Sequence, residues 1–412
     1  MFEQELIRNA IEKSQQRRAD WERVPLSDKI GMLLKAGDLV SGKYRMKLNA
    51  ATMLGQSKTV VQAEIDAAAE LADFFRFNAF FAKELTKYQP ISPDPGQTRN
   101  SFRYRGLEGF VAAVSPFNFT AIGGNLASAP TMMGNVVLWK PSDTAILSNY
   151  IIYQLLAEAG FPPGVINFLP SDGPTFGNAT LSSKYFAGLN FTGSVATFRR
   201  LWKQSSDNLE NYINFPRLIG ECGGKNFHFV HPSADVDTVA TQTIKSAFEY
   251  GGQKCSACSR AYVPASLWPQ IKEQLLDIRS QLKVSSPLEY DTYFSAVIDS
   301  NAFDRISSYI NHAKNSSSLS ILGGGKCDNS KGYFIDPTIV ETKDPKDKII
   351  REEIFGPVLS VYVYKDSDVE STLDLVSSST PFALTGAIFG QDEYVLFLKF
   401  EIFLFMVDFS FI

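Results

Sequence analysis

The strongest constraint on the fold is a run of alternations between Val111 and Gly220. Short apolar segments occur as VAAV at 111–114, VVLW at 136–139, VINFL at 165–169, GLNF at 188–191 and RLIG at 217–220. Helix-like stretches near 120–133, 143–159, 174–183 and 194–210 separate them. Strands joined by helices of this length form right-handed βαβ units on a parallel sheet. A second set follows, with FHFV at 227–230, a helix from about 235 to 250, AYVP at 261–264 and a helix through 283. The chain reads as α/β, doubly wound, in two lobes. Its 412 residues exceed what one core holds, roughly 250–300 residues, which agrees with that division.

The part before Val111 reads differently. Between Thr59 and Phe77, apolar residues at 60, 61, 65, 68, 71, 74 and 75 recur at helical spacing. The stretch QPISPDPGQTRN, with Pro90, Pro93, Pro95 and Gly96, breaks the helix. FRYRGLEGFVAAVSP then reads as strand, turn, strand. Gly37 to Lys43 imitates a phosphate loop, but Tyr44 fills the Ser/Thr slot and no strand precedes it. No GxGxxG occurs, so the common dinucleotide fingerprint is absent.

Composition narrows the partners. With 44 Asp and Glu against 40 Lys and Arg, the chain carries no basic footprint for nucleic acid or an anionic membrane. Cys222, Cys255, Cys258 and Cys327 are too few for a disulfide scaffold, which favours a reducing compartment. The first residues lack a signal core and read as an amphipathic helix already inside a fold. From Tyr394 the chain runs YVLFLKFEIFLFMVDFSFI, with six Phe in nineteen residues, interrupted by Lys399, Glu401 and Asp408. Those charges argue against a membrane span, and the segment reads as an abnormal terminus.

In doubly wound sheets ligands bind beyond the carboxyl ends of strands. The loops expected to follow strands are SPFNFT at 115–120, KPSDT at 140–144, TGS at 192–194, ECGGKN at 221–226 and GGQKCSAC at 251–258. They hold a thiol, an acid and an amide. Cys255 follows a Gly-Gly pair and has Lys254 and Arg260 nearby, cations that favour a thiolate. Glu221 lies beside glycines at a strand end and suits a general base if partly desolvated. Asn118 offers a side-chain amide, and Cys255 its own N–H, to a developing oxyanion. The alternatives are an inert cysteine, a solvated glutamate and a turn-forming asparagine. Cys258, Cys222 and Cys327 keep the inert reading. The CxxC at 255–258 would need two further ligands for a zinc site, and the HxxH at 228–231 upstream offers them only as a minor reading beside the thiol chemistry.

Asn118 in SPFNF, Lys140 in WKPSD, FTGS at 191–194, Glu221 in ECGGK, Cys255 in GGQKCSACSR and EEIFGPV at 352–358 occur in one order. In these strings the chain resembles the aldehyde dehydrogenase superfamily. Its wider wording over about residues 1–392 is similar to the mitochondrial Δ1-pyrroline-5-carboxylate dehydrogenase branch. The resemblance implies a Rossmann-like NAD-binding domain at 1–96 and 111–221, a partial oligomerisation hairpin at 97–110, a catalytic domain at 222–392 and a divergent tail at 393–412.

It also implies a reaction. Cys255 would attack glutamate γ-semialdehyde, Asn118 and the Cys255 N–H would hold the oxyanion, and hydride would pass to NAD. Glu221 would activate water to hydrolyse the resulting thioester to glutamate. Lys140 and Glu353 match ribose-holding positions, and Phe355 one beside the nicotinamide ribose. Gly193, Ser194, Val195, Ala196 and Thr197 match the pyrophosphate segment, and Ser115 a substrate contact. The implied setting is a homo-oligomer (a dimer) in the mitochondrial matrix, with no metal. The family continues before Met1 and beyond about Asp392, so the tail puts turnover and oligomerisation in question. Two other readings stay open: a non-catalytic chain that binds NAD or full-length subunits, and an aldehyde dehydrogenase with another substrate.

Overall fold

The computed structural model describes residues 3–392. The Phe-rich terminus, read above as abnormal, lies outside the described residues. The chain divides into two compact units, residues 1–56 with 60–222, and residues 57–59 with 223–412.

The first unit carries five strands: β1 (Phe110–Val114), β2 (Val136–Lys140), β3 (Ile166–Phe168), β4 (Phe186–Thr192) and β5 (Arg217–Glu221). All pair in parallel in the order β3-β2-β1-β4-β5, so the order reverses between β1 and β4. Helices Thr120–Met132, Ile146–Ala159, Gly173–Leu181 and Val195–Ser206 connect them, close to the spans read from sequence. Register aligns Val114 with Lys140 and with Phe191, and Thr192 with Glu221, so these strands end level. Strands β1 and β2 are buried almost throughout, and the Trp139 side chain is wholly enclosed. Phe110 packs edge-on to Phe186 across the β1–β4 pair, at 6.1 Å between ring centres.

The helices before β1 are Gln4–Arg23, Leu26–Ser41, Arg45–Gln56, Val60–Ala63 and Glu70–Leu85, with a π-helical turn at Glu64–Ala69 joining the last two. The helix expected from Thr59 forms, but its apolar periodicity does not map onto one buried face. Val60, Val61 and Ile65 are exposed, whereas Ala67, Ala68, Leu71, Ala72 and Phe75 are buried. The π turn adds a residue to one helical turn and so rotates the buried stripe relative to its start. The expected strand near 102–109 is absent. Residues 101–107 run without a ladder partner, and Phe102 and Tyr104 are exposed. Side-chain bonds tether the segment instead: the Phe102 N–H donates to Gln89 Oε1 (2.9 Å) and the Tyr104 hydroxyl to the Leu85 carbonyl (3.1 Å). The expected second strand does form as β1, but β2 and β4 already occupy its two edges, so residues 102–106 cannot pair with it as a hairpin.

The second unit carries β6 (Asn226–Val230), β7 (Cys258–Pro264), β8 (Leu319–Gly323), β9 (Cys327–Asp328), β10 (Phe334–Ile335), β11 (Thr338–Thr342), β12 (Val358–Tyr364) and β13 (Gly386–Phe389). Six form one sheet in the order β13-β6-β7-β12-β11-β8, parallel except for β8, and β9 pairs with β10. Helices Val236–Phe248, Trp268–Gln281 and Ser300–Asn315 pack in this unit. The first two begin within two residues of the positions expected from sequence or end there.

Candidate active site

In the first unit, every residue singled out from sequence lies at the carboxyl edge of the sheet. Ser115 and Asn118 follow β1, Lys140 ends β2, Gly193–Thr197 follow β4, and Glu221 ends β5. Strands β1 and β4 flank the reversal in strand order, where parallel sheets open a crevice for ligands. Ser194 caps the helix Val195–Ser206, its Oγ accepting the Thr197 N–H at 3.2 Å. The N–H groups of Val195 and Ala196, in the first turn, point out of the helix at its positive end. Gly193 donates its N–H to the Glu221 carbonyl at 3.1 Å, tying this turn to β5.

Lys140 is buried and donates to the Pro141 carbonyl (2.9 Å) and to Asp143 Oδ1 (3.0 Å). An ammonium has three protons, so one donor remains for a ligand hydroxyl. Glu221 is exposed at the strand end, yet partial desolvation holds its carboxyl above the usual range. Asn118 is buried in the loop after β1. Ser115, matched by resemblance to a substrate contact, lies where β1 meets β2. It is buried, its Oγ accepts the Trp139 indole N–H at 2.6 Å, and its N–H donates to the Lys140 carbonyl. It fastens the end of β1 to that of β2.

In the second unit the geometry corrects the search rule itself. Cys255 does not follow a strand. It lies between the helix Val236–Phe248 and the start of β7, at the amino edge of the sheet. Glu353 and Phe355 likewise precede β12, and residues 223–225 precede β6. The loop reaches Cys255 through three consecutive left-handed residues, Tyr250 (φ 50°), Gly251 (φ 60°) and Gly252 (φ 68°). Glycine takes this conformation freely, but Tyr250 does so at a cost. Lys58 stacks its ammonium 4.1 Å from the Tyr250 ring centre, and both side chains are fully enclosed. That cation–π contact braces the turn.

Asn226 fixes the other side of the Cys255 loop. Its Nδ2 donates to the carbonyls of Cys255 (2.6 Å) and Ala257 (2.9 Å), and its Oδ1 accepts the Thr385 N–H (2.9 Å). A side chain at Gly224 would collide with the Cys255 carbonyl and one at Gly223 would push the Glu353 carboxylate aside, so glycine at 224 lets the backbone approach this closely. Glu353 Oε1 accepts the Gly224 N–H at 2.9 Å, and burial holds its carboxyl above the usual range. Phe355 sits at φ 55°, a strained value for a residue with a side chain.

The cations expected to favour the Cys255 thiolate also make other bonds. Lys254 pairs with Glu249 (3.0 Å), and Arg260 donates to the Lys225 carbonyl and to the Tyr262 and Ser379 hydroxyls. Cys258 is buried at the start of β7, and desolvation pushes its thiol up to about 12, as suits an inert cysteine. His228 turns to Thr243 and His231 to Ser233, so the HxxH pair diverges.

Sequence reasoning missed Asn226, Lys58 and Tyr250. It also missed a pocket of about 350 Å³ in the first unit, lined by Ile65, Asp66, Glu70, Asp73, Phe74 and Phe77. The only sequence signal for that pocket was the spacing of Asp66, Glu70 and Asp73 along one helical face. Asn226→Ala is expected to cost about 2 kcal/mol, since it strands a carbonyl pair. It should also lower kcat about tenfold to hundredfold by loosening the Cys255 loop. Thermal unfolding and steady-state kinetics measure the two effects. An unchanged kcat would remove Asn226 from the positioning of Cys255.

Residues 1–399 match the aldehyde dehydrogenase family. The chain is 60% identical over 395 residues to the mitochondrial delta-1-pyrroline-5-carboxylate dehydrogenase of Danio rerio, covering 96% of this chain and 71% of that one. It is 61% identical over 392 residues to the Homo sapiens protein of the same name, covering 95% and 69%. Among solved structures, the delta-pyrroline-5-carboxylate dehydrogenase from Mycobacterium tuberculosis bound with NAD superposes with a TM-score of 0.92 at 43% identity, covering 97% of this chain and 73% of that one. This chain belongs to the aldehyde dehydrogenase family.

Proposed function

We propose that the chain oxidises glutamate γ-semialdehyde, the open form of Δ1-pyrroline-5-carboxylate, to glutamate with NAD, as the last oxidation of proline breakdown. The observation that carries the substrate is the 60 to 61% identity to enzymes of that name over nearly the whole chain. The donor set suits the cofactor. A helix N-terminus with outward N–H groups fits a pyrophosphate. A spare proton on Lys140 and the carboxylate of Glu353 fit ribose hydroxyls. Residues Gly193–Thr197 and Lys140 would hold the pyrophosphate and one ribose, and Glu353 and Phe355 the nicotinamide ribose. When bound, NAD supplies the hydride acceptor.

The chain's own residues do the rest. Cys255 Sγ adds to the aldehyde carbon, and the Asn118 amide with the Cys255 N–H stabilises the oxygen that gains charge. After oxidation the acyl group remains as a thioester on Cys255, a good leaving group. Glu221, whose raised carboxyl makes it a better base than an ordinary glutamate, takes the proton of the water that hydrolyses it.

The mitochondrial names of the relatives support work in the matrix. Exposed Phe77, Phe80 and Phe81 on the helix Glu70–Leu85, with Phe81 stacked on Phe77 and edge-on to Phe80, support a self-associating dimer through this face. NADH formation by the purified chain, with glutamate semialdehyde set beside simple aliphatic aldehydes, tests the reading. Faster oxidation of the aliphatic series would overturn the substrate. Binding of NAD without turnover of any aldehyde would replace it with the non-catalytic reading.

A further inference from the structure

Lys225 is the one lysine in the described second unit whose Nζ is fully buried without a hydrogen-bond partner. It is 1% exposed, and its ammonium meets no acceptor. Its neighbours in sequence are the two residues that organise this part of the site. The Gly224 N–H binds Glu353, and the Asn226 side chain binds the Cys255 loop. Arg260 holds the Lys225 carbonyl at 2.8 Å, which fixes the backbone from which the side chain enters the interior.

We infer that Lys225 is a positioning residue for the cofactor carboxylate: its buried charge keeps Glu353 ionised on the Gly224 N–H, ready to accept ribose hydroxyls. The inference rests on the reading of Glu353 as a cofactor ligand. Burial drives Glu353 toward the neutral acid, which accepts hydrogen bonds poorly. Three things oppose that drive: the Gly224 N–H, Lys225 and Arg305 from the helix Ser300–Asn315. The groups that face Lys225 are Arg260, which repels it, and Cys258, Glu353 and Glu352, which favour its charge. Cys258 stays a neutral thiol far above neutral pH, so Glu353 and Glu352 are the anions that Lys225 serves.

A buried amine with no acceptor is a burden on the fold. Desolvation pushes Lys225 down to about 7, so its charge is present in acid and is lost as pH rises through neutrality. Glu353 needs help in the same acid range, because its raised carboxyl protonates as pH falls. The ammonium is therefore present where it is needed. A methionine of similar length would fill the space without the desolvation burden, so the fold alone gives no reason for a lysine here.

The test is NAD binding by calorimetry, with the full chain, between about pH 5.5 and about pH 8.5, together with thermal unfolding. Lys225→Met is expected to move the acid limb of NAD affinity upward by about one pH unit. Binding would be about tenfold weaker near the foot of that limb and little changed at the alkaline end, while the melting temperature holds or rises. Glu353→Gln, which removes the titrating group, should weaken binding at every pH and make Lys225→Met silent in the double variant. If Glu353→Gln weakens binding but Lys225→Met leaves the pH profile in place, the inference falls and the cofactor reading stands. If Glu353→Gln binds NAD as the parent does, the cofactor reading falls and the inference with it. Should Lys225→Met not fold, Lys225→Gln carries the same expectations with a polar, uncharged end.

Discussion

Cys255→Ala is expected to abolish NADH formation from glutamate semialdehyde, by about 10⁴-fold or more, while leaving the melting temperature and NAD binding near those of the parent. The size of the effect follows from the chemistry: without Sγ there is no thiohemiacetal, and the aldehyde has no tethered state from which to be oxidised. The stability of the variant follows from the structure. Cys255 is only half-buried, and the carbonyls of Cys255 and Ala257 bonded to Asn226 hold the loop that carries it. Cys327→Ala, in the short β9–β10 pair, is the control and should keep parent activity. Parent-like turnover by Cys255→Ala would sink the nucleophile assignment. Loss of NAD binding along with turnover would mean that the substitution had disturbed the loop rather than the chemistry.

The fold was legible wherever burial on a sheet dictates the pattern. VAAV, VVLW and FHFV are strands because covered parallel strands demand uninterrupted apolar runs, and their ends aim Asn118 and Lys140 at one edge. Three features were not legible, each for a physical reason. The π turn at Glu64–Ala69 is a hydrogen-bond shift that apolar spacing does not encode, and only exposed Val61 and Ile65 reveal it. Left-handed Tyr250 and Phe355 depend on tertiary contacts, since neither residue type prefers that conformation. The Cys255 loop precedes its strand. Loops after strands hold the candidate residues of the first unit but not those of the second, where Gly223 and Gly224 bring the backbone against Glu353 and Cys255 from the amino edge.

Glu221→Gln should separate the two halves of the reaction. Glutamine keeps the shape of the side chain but cannot take a proton, so acylation of Cys255 proceeds while hydrolysis of the thioester stalls. Rapid mixing with semialdehyde and NAD is expected to give a burst of NADH close to one per active chain. A steady rate lowered by about 10²–10⁴-fold should follow. The pH dependence has a definite sign. Partial desolvation raises the Glu221 carboxyl, so it is a base only above that raised value, and hydrolysis in the parent fails as pH falls through it. In Glu221→Gln this acid limb should vanish from the slow steady rate. Stability moves the other way, because ionising a desolvated carboxyl opposes folding. The parent loses that contribution as pH rises through the Glu221 range, and the glutamine variant does not, so the variant should melt no lower than the parent at neutral pH. A variant with parent steady-state rate and no burst would remove Glu221 from hydrolysis. One with neither burst nor turnover would place it before the thioester, in activating Cys255 itself.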